Sequence, residues 1–123
     1  MMEMQAFMAQ FSARMKDERA AISGKMKALS DQGCMDDAML ERIRLNICDA
    51  LEAVVNAGAK MGNLEAMTAF CRNRLQSIPA VWQKNLDRAI ACEDGKNRAI
   101  EEIKLHQAAR ISRFFEESRG DEA

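Results

Sequence analysis

The chain has 123 residues and a formal net charge of −1 at pH 7, and 30% of its residues are charged. A chain of this length buries about two-thirds of the surface that its unfolded form exposes, so we expect one helical domain over residues 1–123. Positive and negative charges are mixed along the chain, which disfavours a nucleic-acid partner, and no uninterrupted apolar segment is long enough to cross a membrane.

The composition is that of a helical protein. Residues with high helix propensity dominate, and the chain contains one proline and no tyrosine. Strand-forming residues are confined to short stretches near Val54, Val55 and Val81. The composition therefore predicts an all-α fold, an antiparallel bundle of four or five helices, and we expect no internal repeat.

The first predicted helix runs from about Met2 to Leu29 and carries one apolar face. Its apolar residues recur at spacings of three and four, which keeps them on one side of a helix. This face consists of Met4, Phe7, Met8, Phe11, Met15, Ile22, Met26 and Leu29. Methionine fills irregular cores and also lines adaptable binding surfaces, so the face is either core, which we favour, or a docking surface.

The second predicted helix begins near Met35, after a turn over residues 30–33. Asp36 and Asp37 suit the positive end of the helix dipole. Gly62 and Asn63 are suited to end this helix and to cap the next one.

Two features decide how the remaining chain is divided. A third helix from Leu64 to about Ser77 should stop or kink at Pro79, which has no amide hydrogen. The segment Glu93–Asn97 is either a turn or part of one long C-terminal helix from Pro79 to Arg119. The inner face of that last segment is predicted to contain Ile100, Ile103, Gln107, Ile111 and Phe114.

The four cysteines, Cys34, Cys48, Cys71 and Cys92, are far apart and form no CxxC pair, which argues against a zinc site. No secretory signal pattern precedes them, so we expect reduced, packed thiols in the cytoplasm and no metal or cofactor. The adjacent carboxylates Glu101-Glu102 and Glu116-Glu117 point about 100° apart on a helix, and we expect them on the solvated surface.

His106 is the only histidine, and two kinds of chemistry could use it. A phosphorelay histidine is usually followed closely by lysine and a small residue, whereas Gln107 follows here. A nuclease-like arginine and histidine pair usually has four to six residues between its members, whereas seven separate Arg98 from His106. We therefore expect a surface histidine near Glu102 or solvent.

These features favour a non-enzymatic protein of the adaptor, chaperone or inhibitor type that binds another protein through a helical surface and forms a homodimer. Tryptophan is enriched in interface hot spots, and apolar residues on more than one side of a helix indicate more than one neighbour. The predicted partner-binding residues are Phe7, Met8, Phe11, Met15, Trp82, Leu105, Phe114 and Phe115.

Two other classes remain open. One is a helical regulatory protein that contacts nucleic acid through Arg42, Arg44, Arg72 and Arg74, and the other is the phosphorelay or nuclease-like protein that would use His106.

Overall fold

The computed structural model describes residues 4–120 as four α-helices, with no strand in this range. The helices are α1 (Met4–Asp31), α2 (Met35–Ala59), α3 (Leu64–Ala91) and α4 (Gly95–Ser118). The prediction of an all-α antiparallel bundle is confirmed, with four helices.

Short turns with left-handed backbone connect the helices. Gly33 has φ +80° and Gly62 has φ +72°, conformations that glycine adopts without steric cost. Asn63 caps α3 as predicted, since its side chain accepts a hydrogen bond from the amide of Ala66 at 2.9 Å.

Both uncertain boundaries of the second half are resolved. Helix α3 continues through Pro79, so of the predicted stop or kink at this position the stop does not occur. A proline in a helix interior costs about 3 kcal/mol. The alternative of a single long helix from Pro79 to Arg119 is wrong. The chain leaves α3 after Ala91, and Glu93 takes φ +54° in the turn before α4.

The second pair of helices repeats the first pair with an offset of 60 residues. Helices α1 and α3 begin at Met4 and Leu64, and α2 and α4 begin at Met35 and Gly95. Buried positions repeat in the same register: Phe7 with Met67, Phe11 with Cys71, Met15 with Leu75, Glu41 with Glu101, Leu51 with Ile111, and Val55 with Phe115. The expectation of no internal repeat is therefore wrong. We call α1 with α2 the first hairpin and α3 with α4 the second hairpin.

The turns within the two hairpins are also equivalent. The amide of Cys34 donates to the carbonyl of Leu29 at 2.8 Å, and the amide of Asp94 donates to the carbonyl of Ala89 at the same distance. Both bonds close the end of a helix over a residue with positive φ. The caps differ, because the side chain of Asp94 accepts from the amide of Asn97 while Cys34 makes no side-chain cap.

Helices α2 and α4 lie side by side in the middle of the bundle, and α1 and α3 each contact both of them. The two central helices run in the same direction, since each starts at a hairpin turn and Arg44 of α2 reaches His106 and Gln107 of α4. An approximate two-fold axis therefore runs along the bundle between α2 and α4.

The core is densest in the half of the bundle opposite the two hairpin turns. There Phe7 stacks on Phe11 with ring centroids 5.9 Å apart and meets Phe115 edge-on at 5.3 Å. Gly58 permits close approach of α2 and α3, because a Cβ atom there would lie 2.6 Å from the sulfur of Cys71. Towards the turns, Leu40 and similar residues are only half buried.

The inner face of α4 agrees with the predicted one at Gln107 and Ile111, whereas Ile100 and Ile103 are only half buried. Phe115 is fully buried, whereas Phe114 is half buried beneath the guanidinium of Arg110 at 5.5 Å. The buried face also includes the polar residue Glu101, which a count of apolar residues cannot find.

Candidate functional site

The structure divides the predicted partner-binding residues into two groups. Phe7, Phe11, Met15 and Phe115 are 0% exposed and form part of the core. The apolar face of α1 is therefore mainly core, which was the favoured of its two interpretations. These four side chains cannot contact a partner while the bundle is folded.

The other members, Met8, Trp82, Leu105 and Phe114, are half buried. The ammonium of Lys104 lies 5.9 Å from the ring centre of Trp82, a cation–π contact that covers part of the indole. Met8, Trp82 and Phe114 pack against the core, so the bundle itself covers part of each of these side chains.

Of the five large apolar side chains that are exposed over residues 4–120, three lie near the end of the bundle where both hairpin turns lie, and Val81 is 57% exposed further back along α3. Met35 is 61% exposed and Met39 is 54% exposed, both in the first turns of α2, and Ile90 is 47% exposed at the end of α3. Met61 is 51% exposed at the opposite end. Sequence reasoning missed this group because it took the apolar residues of α1 and α4 as the surface.

A groove of about 400 Å³ opens at this end between the first turns of α2 and α4. We call it the turn-end groove; it is lined by Asp36, Asp37, Met39, Leu40, Lys96, Ala99 and Ile100. Six of these residues form three pairs related by the 60-residue repeat, so the groove lies on the approximate two-fold axis. Its floor is apolar, and the paired positions Asp36 and Lys96 carry opposite charges.

His106 lies outside this groove, on an exposed face of α4. Its Nδ1 atom is 2.9 Å from Nη1 of Arg44. A guanidinium only donates, so Nδ1 accepts and the proton of the neutral ring is on Nε2. Arg44, rather than the predicted Glu102, is the partner of this histidine.

A buried polar cluster adjoins His106 where α1, α2 and α4 meet. Glu18 accepts two hydrogen bonds from the guanidinium of Arg110 at 2.7 and 2.8 Å and a third from Gln107 at 2.7 Å. The hydrogen bond from Arg110 is the main cause that lowers the pKa of Glu18, against the opposing effect of burial. Glu18 is therefore a fixed carboxylate that joins α1 to α4.

Two of the four thiols are also fixed in the interior. Burial raises the pKa of Cys48 to about 11 and that of Cys71 to about 11, which keeps both protonated at neutral pH. The prediction that all four cysteines are packed is wrong for Cys34 and Cys92, which are exposed.

Three of the four arginines considered for nucleic acid are engaged by other side chains, and Arg42 is exposed. Arg44 is held by Glu41 and Gln107, and Arg72 forms a two-pronged pair with Glu116 at 2.7 and 2.9 Å. Arg74 lies over the ring of Phe70 at 5.2 Å.

The carboxylates of the described residues do not form a metal-binding cluster. Over residues 4–120, no group of three or more histidine, cysteine, aspartate or glutamate side chains is placed to hold a metal ion. The expectation that Glu101 is a solvated surface residue is wrong, since it is 7% exposed; Glu41 is buried as well, at 5% exposed.

None of the helices within the described range has both the length and the apolar character of a membrane span. Comparisons with protein-family models, with curated proteins and with solved structures gave no match to this chain.

Proposed function

We propose that this protein is a non-enzymatic helical interaction protein that binds another polypeptide at the turn-end groove. The observation that supports this is the apolar groove with Met35 and Met39 exposed beside it. Flexible methionine side chains adapt to a partner's apolar surface, and removal of exposed apolar area from water drives such association. The adaptor, chaperone and inhibitor classes all use a surface of this kind.

We propose a second copy of the chain as one occupant, which makes the protein a homodimer. The opposite charges of Asp36 and Lys96 support this, since a two-fold axis across the bundle end would place Asp36 of each protomer opposite the partner's Lys96. Contact restricted to the end of a bundle buries less than a standard interface, so we expect a dissociation constant above about 1 μM.

The free thiols support a reducing, cytoplasmic location.

Sedimentation equilibrium over a wide concentration range tests this proposal. Met39→Lys should weaken self-association, because it places a charge on the groove. Met61→Lys is the matched control, since Met61 is almost equally exposed at the other end of the bundle. A wild-type protein that stays monomeric at millimolar concentration, or equal effects of both substitutions, would rule out the dimer proposed here.

A further inference from the structure

Three methionines over residues 4–120 are open to solvent, and two of them lie at the turn-end groove. Met35 is 61% exposed and Met39 is 54% exposed. They are four residues apart at the start of α2, so both side chains lie on the same face of this helix, and Met39 lines the groove. Met15 and Met67 are 0% exposed. The fold therefore exposes the thioether sulfurs at the groove and closes those of the core to solutes.

The sulfur is confined to one wall of the groove. Positions 35 and 39 of the first hairpin correspond to positions 95 and 99 of the second, where the residues are Gly95 and Ala99. Leu40 and Ile100 line the groove and are half buried. The large apolar side chains that the groove exposes to a partner are therefore the methionines of α2.

We propose that Met35 and Met39 are a reversible oxidation site through which a peroxide controls binding at the turn-end groove. With hydrogen peroxide, the sulfur attacks one oxygen, so that an S–O bond forms and the O–O bond breaks. The second oxygen takes the proton of the first and leaves as water, and the sulfur loses the two electrons that the peroxide gains. The product, methionine sulfoxide, is returned to methionine by sulfoxide reductases. This inference rests on the proposed function, because it concerns the regulation of the same groove.

Oxidation changes the groove because a sulfoxide is polar, whereas a thioether is apolar. When a partner covers the sulfoxide oxygen, this oxygen loses its water, and affinity falls unless a donor replaces the water. Asp36 and Asp37 line the groove with carboxylates that only accept hydrogen bonds, and its apolar residues have no side-chain donor. Lys96 is the one lining side chain that donates, and in the proposed dimer it pairs with the partner's Asp36. An oxidised Met39 is therefore left without a donor in the interface.

Peptide mapping by mass spectrometry, after graded treatment of the full-length protein with hydrogen peroxide, tests the selectivity. We expect Met35 and Met39 to be oxidised about tenfold faster or more than Met15 and Met67, because a buried sulfur reacts only when the bundle opens locally. Met61 is 51% exposed and is the reference for an open methionine. In urea-unfolded protein all five should be oxidised at similar rates.

Sedimentation equilibrium before and after the same treatment tests the effect on the groove. The dissociation constant of self-association should rise about tenfold or more, because each groove then buries a polar group without a partner. Incubation with sulfoxide reductases for both sulfoxide epimers should restore it. Dithiothreitol in all samples keeps the exposed Cys34 and Cys92 reduced, so that oxidised thiols do not contribute to the result.

Leucine substitutions provide the matched variants, because leucine is similar to methionine in volume and has no sulfur. In the double variant Met35→Leu with Met39→Leu, the dissociation constant after peroxide should stay within about twofold of that variant's own value before peroxide. Met61→Leu removes the exposed methionine at the other end of the bundle, so it should leave both the self-association and its loss on oxidation unchanged.

The outcomes separate this inference from the proposed function. Self-association of the wild type that peroxide does not weaken, or equal weakening in the wild type and in the double leucine variant, would overturn the oxidation site alone. Oxidation of Met35 and Met39 no faster than that of Met15 would also overturn it. A wild type that never self-associates would overturn the proposed dimer and its regulation together.

Discussion

The two hairpins have the same backbone plan and different polar chemistry. Their helices and left-handed turns repeat at an offset of 60 residues, and so do most of their buried positions. Only some of the polar contacts repeat: Glu41 pairs with Arg44 as Glu101 pairs with Lys104, but Glu18 joins α1 to α4, whereas the equivalent residue of the second hairpin is the apolar Ile78. The comparison teaches that the pattern of burial determines this bundle, and that the few polar exceptions distinguish one half from the other.

The largest expected effect tests whether the two halves share one core. Phe7 and its counterpart Met67 are both 0% exposed. Phe7→Ala should lower the free energy of unfolding by about 3–5 kcal/mol and Met67→Ala by about 2–5 kcal/mol, because each leaves a cavity. Urea denaturation measures both. Met61→Ala is the control at an exposed site, and its free energy of unfolding should stay within about 0.5 kcal/mol of the wild-type value. If Met67→Ala lowered the free energy of unfolding by no more than Met61→Ala does, the second hairpin would be loosely packed.

The next effect concerns a polar contact that joins the two hairpins through Glu18, for which the repeat provides no equivalent. Glu18→Gln should lower the free energy of unfolding by about 1–3 kcal/mol at pH 7, because it weakens the bonds to Arg110. Glu117→Gln is the control: the Arg14–Glu117 pair is 43% and 45% exposed, and its loss should cost less than about 0.5 kcal/mol. Equal losses in the two variants would contradict a special role of Glu18.

The same contact predicts a pH dependence. The pKa of Glu18 is lowered in the folded protein, so its contribution is complete above the unfolded pKa of about 4.3 and is lost as the pH falls through the lower folded value. The difference in stability between the wild type and Glu18→Gln should therefore shrink below about pH 4. Urea denaturation from pH 7 to pH 3 measures it, and a difference that grows on acidification would contradict the sign.

The smallest expected effect comes from giving α2 the side-chain N-cap that α4 already has. Cys34 and Asp94 have similar backbone angles, yet only Asp94 caps its helix. Cys34→Ser should raise the free energy of unfolding by about 0.5–1 kcal/mol, and Asp94→Ala should lower it by about 1 kcal/mol. Cys92→Ser, at an exposed cysteine that ends α3 and is not the N-cap of a helix, serves as the control for loss of a thiol. A thermal melt in which both serine variants gain equally would remove the capping explanation.

Local chemistry explains what could be predicted from the sequence. The turn at Gly33 and the cap at Asn63 follow from residues that act on their own backbone. The apolar face of α1 follows from helical spacing. Pro79 does not end α3, so a residue that disfavours helix locally was not a reliable sign of a helix end here.

Long-range contacts explain what could not be predicted. Glu18 and Arg110 are 92 residues apart in the sequence, so nothing local indicates that they pair. Glu101 resembles any surface glutamate until the fold buries it. One signal was available in the stretches Leu40-Glu41-Arg42-Ile43-Arg44-Leu45 and Ile100-Glu101-Glu102-Ile103-Lys104-Leu105, which are identical or conservatively changed at five of six positions, the exception being Arg42 and Glu102. A comparison of the chain with itself at an offset of 60 residues would have indicated the repeat.

The most direct test of the turn-end groove as an interaction surface is a charge-reversal cycle followed by sedimentation equilibrium at low salt. Asp36→Lys and Lys96→Asp should each weaken self-association about threefold or more, because each places like charges opposite one another across the dimer. The double variant should restore the wild-type dissociation constant. Additive weakening in the double variant, or no self-association in any of the four proteins, would contradict the account.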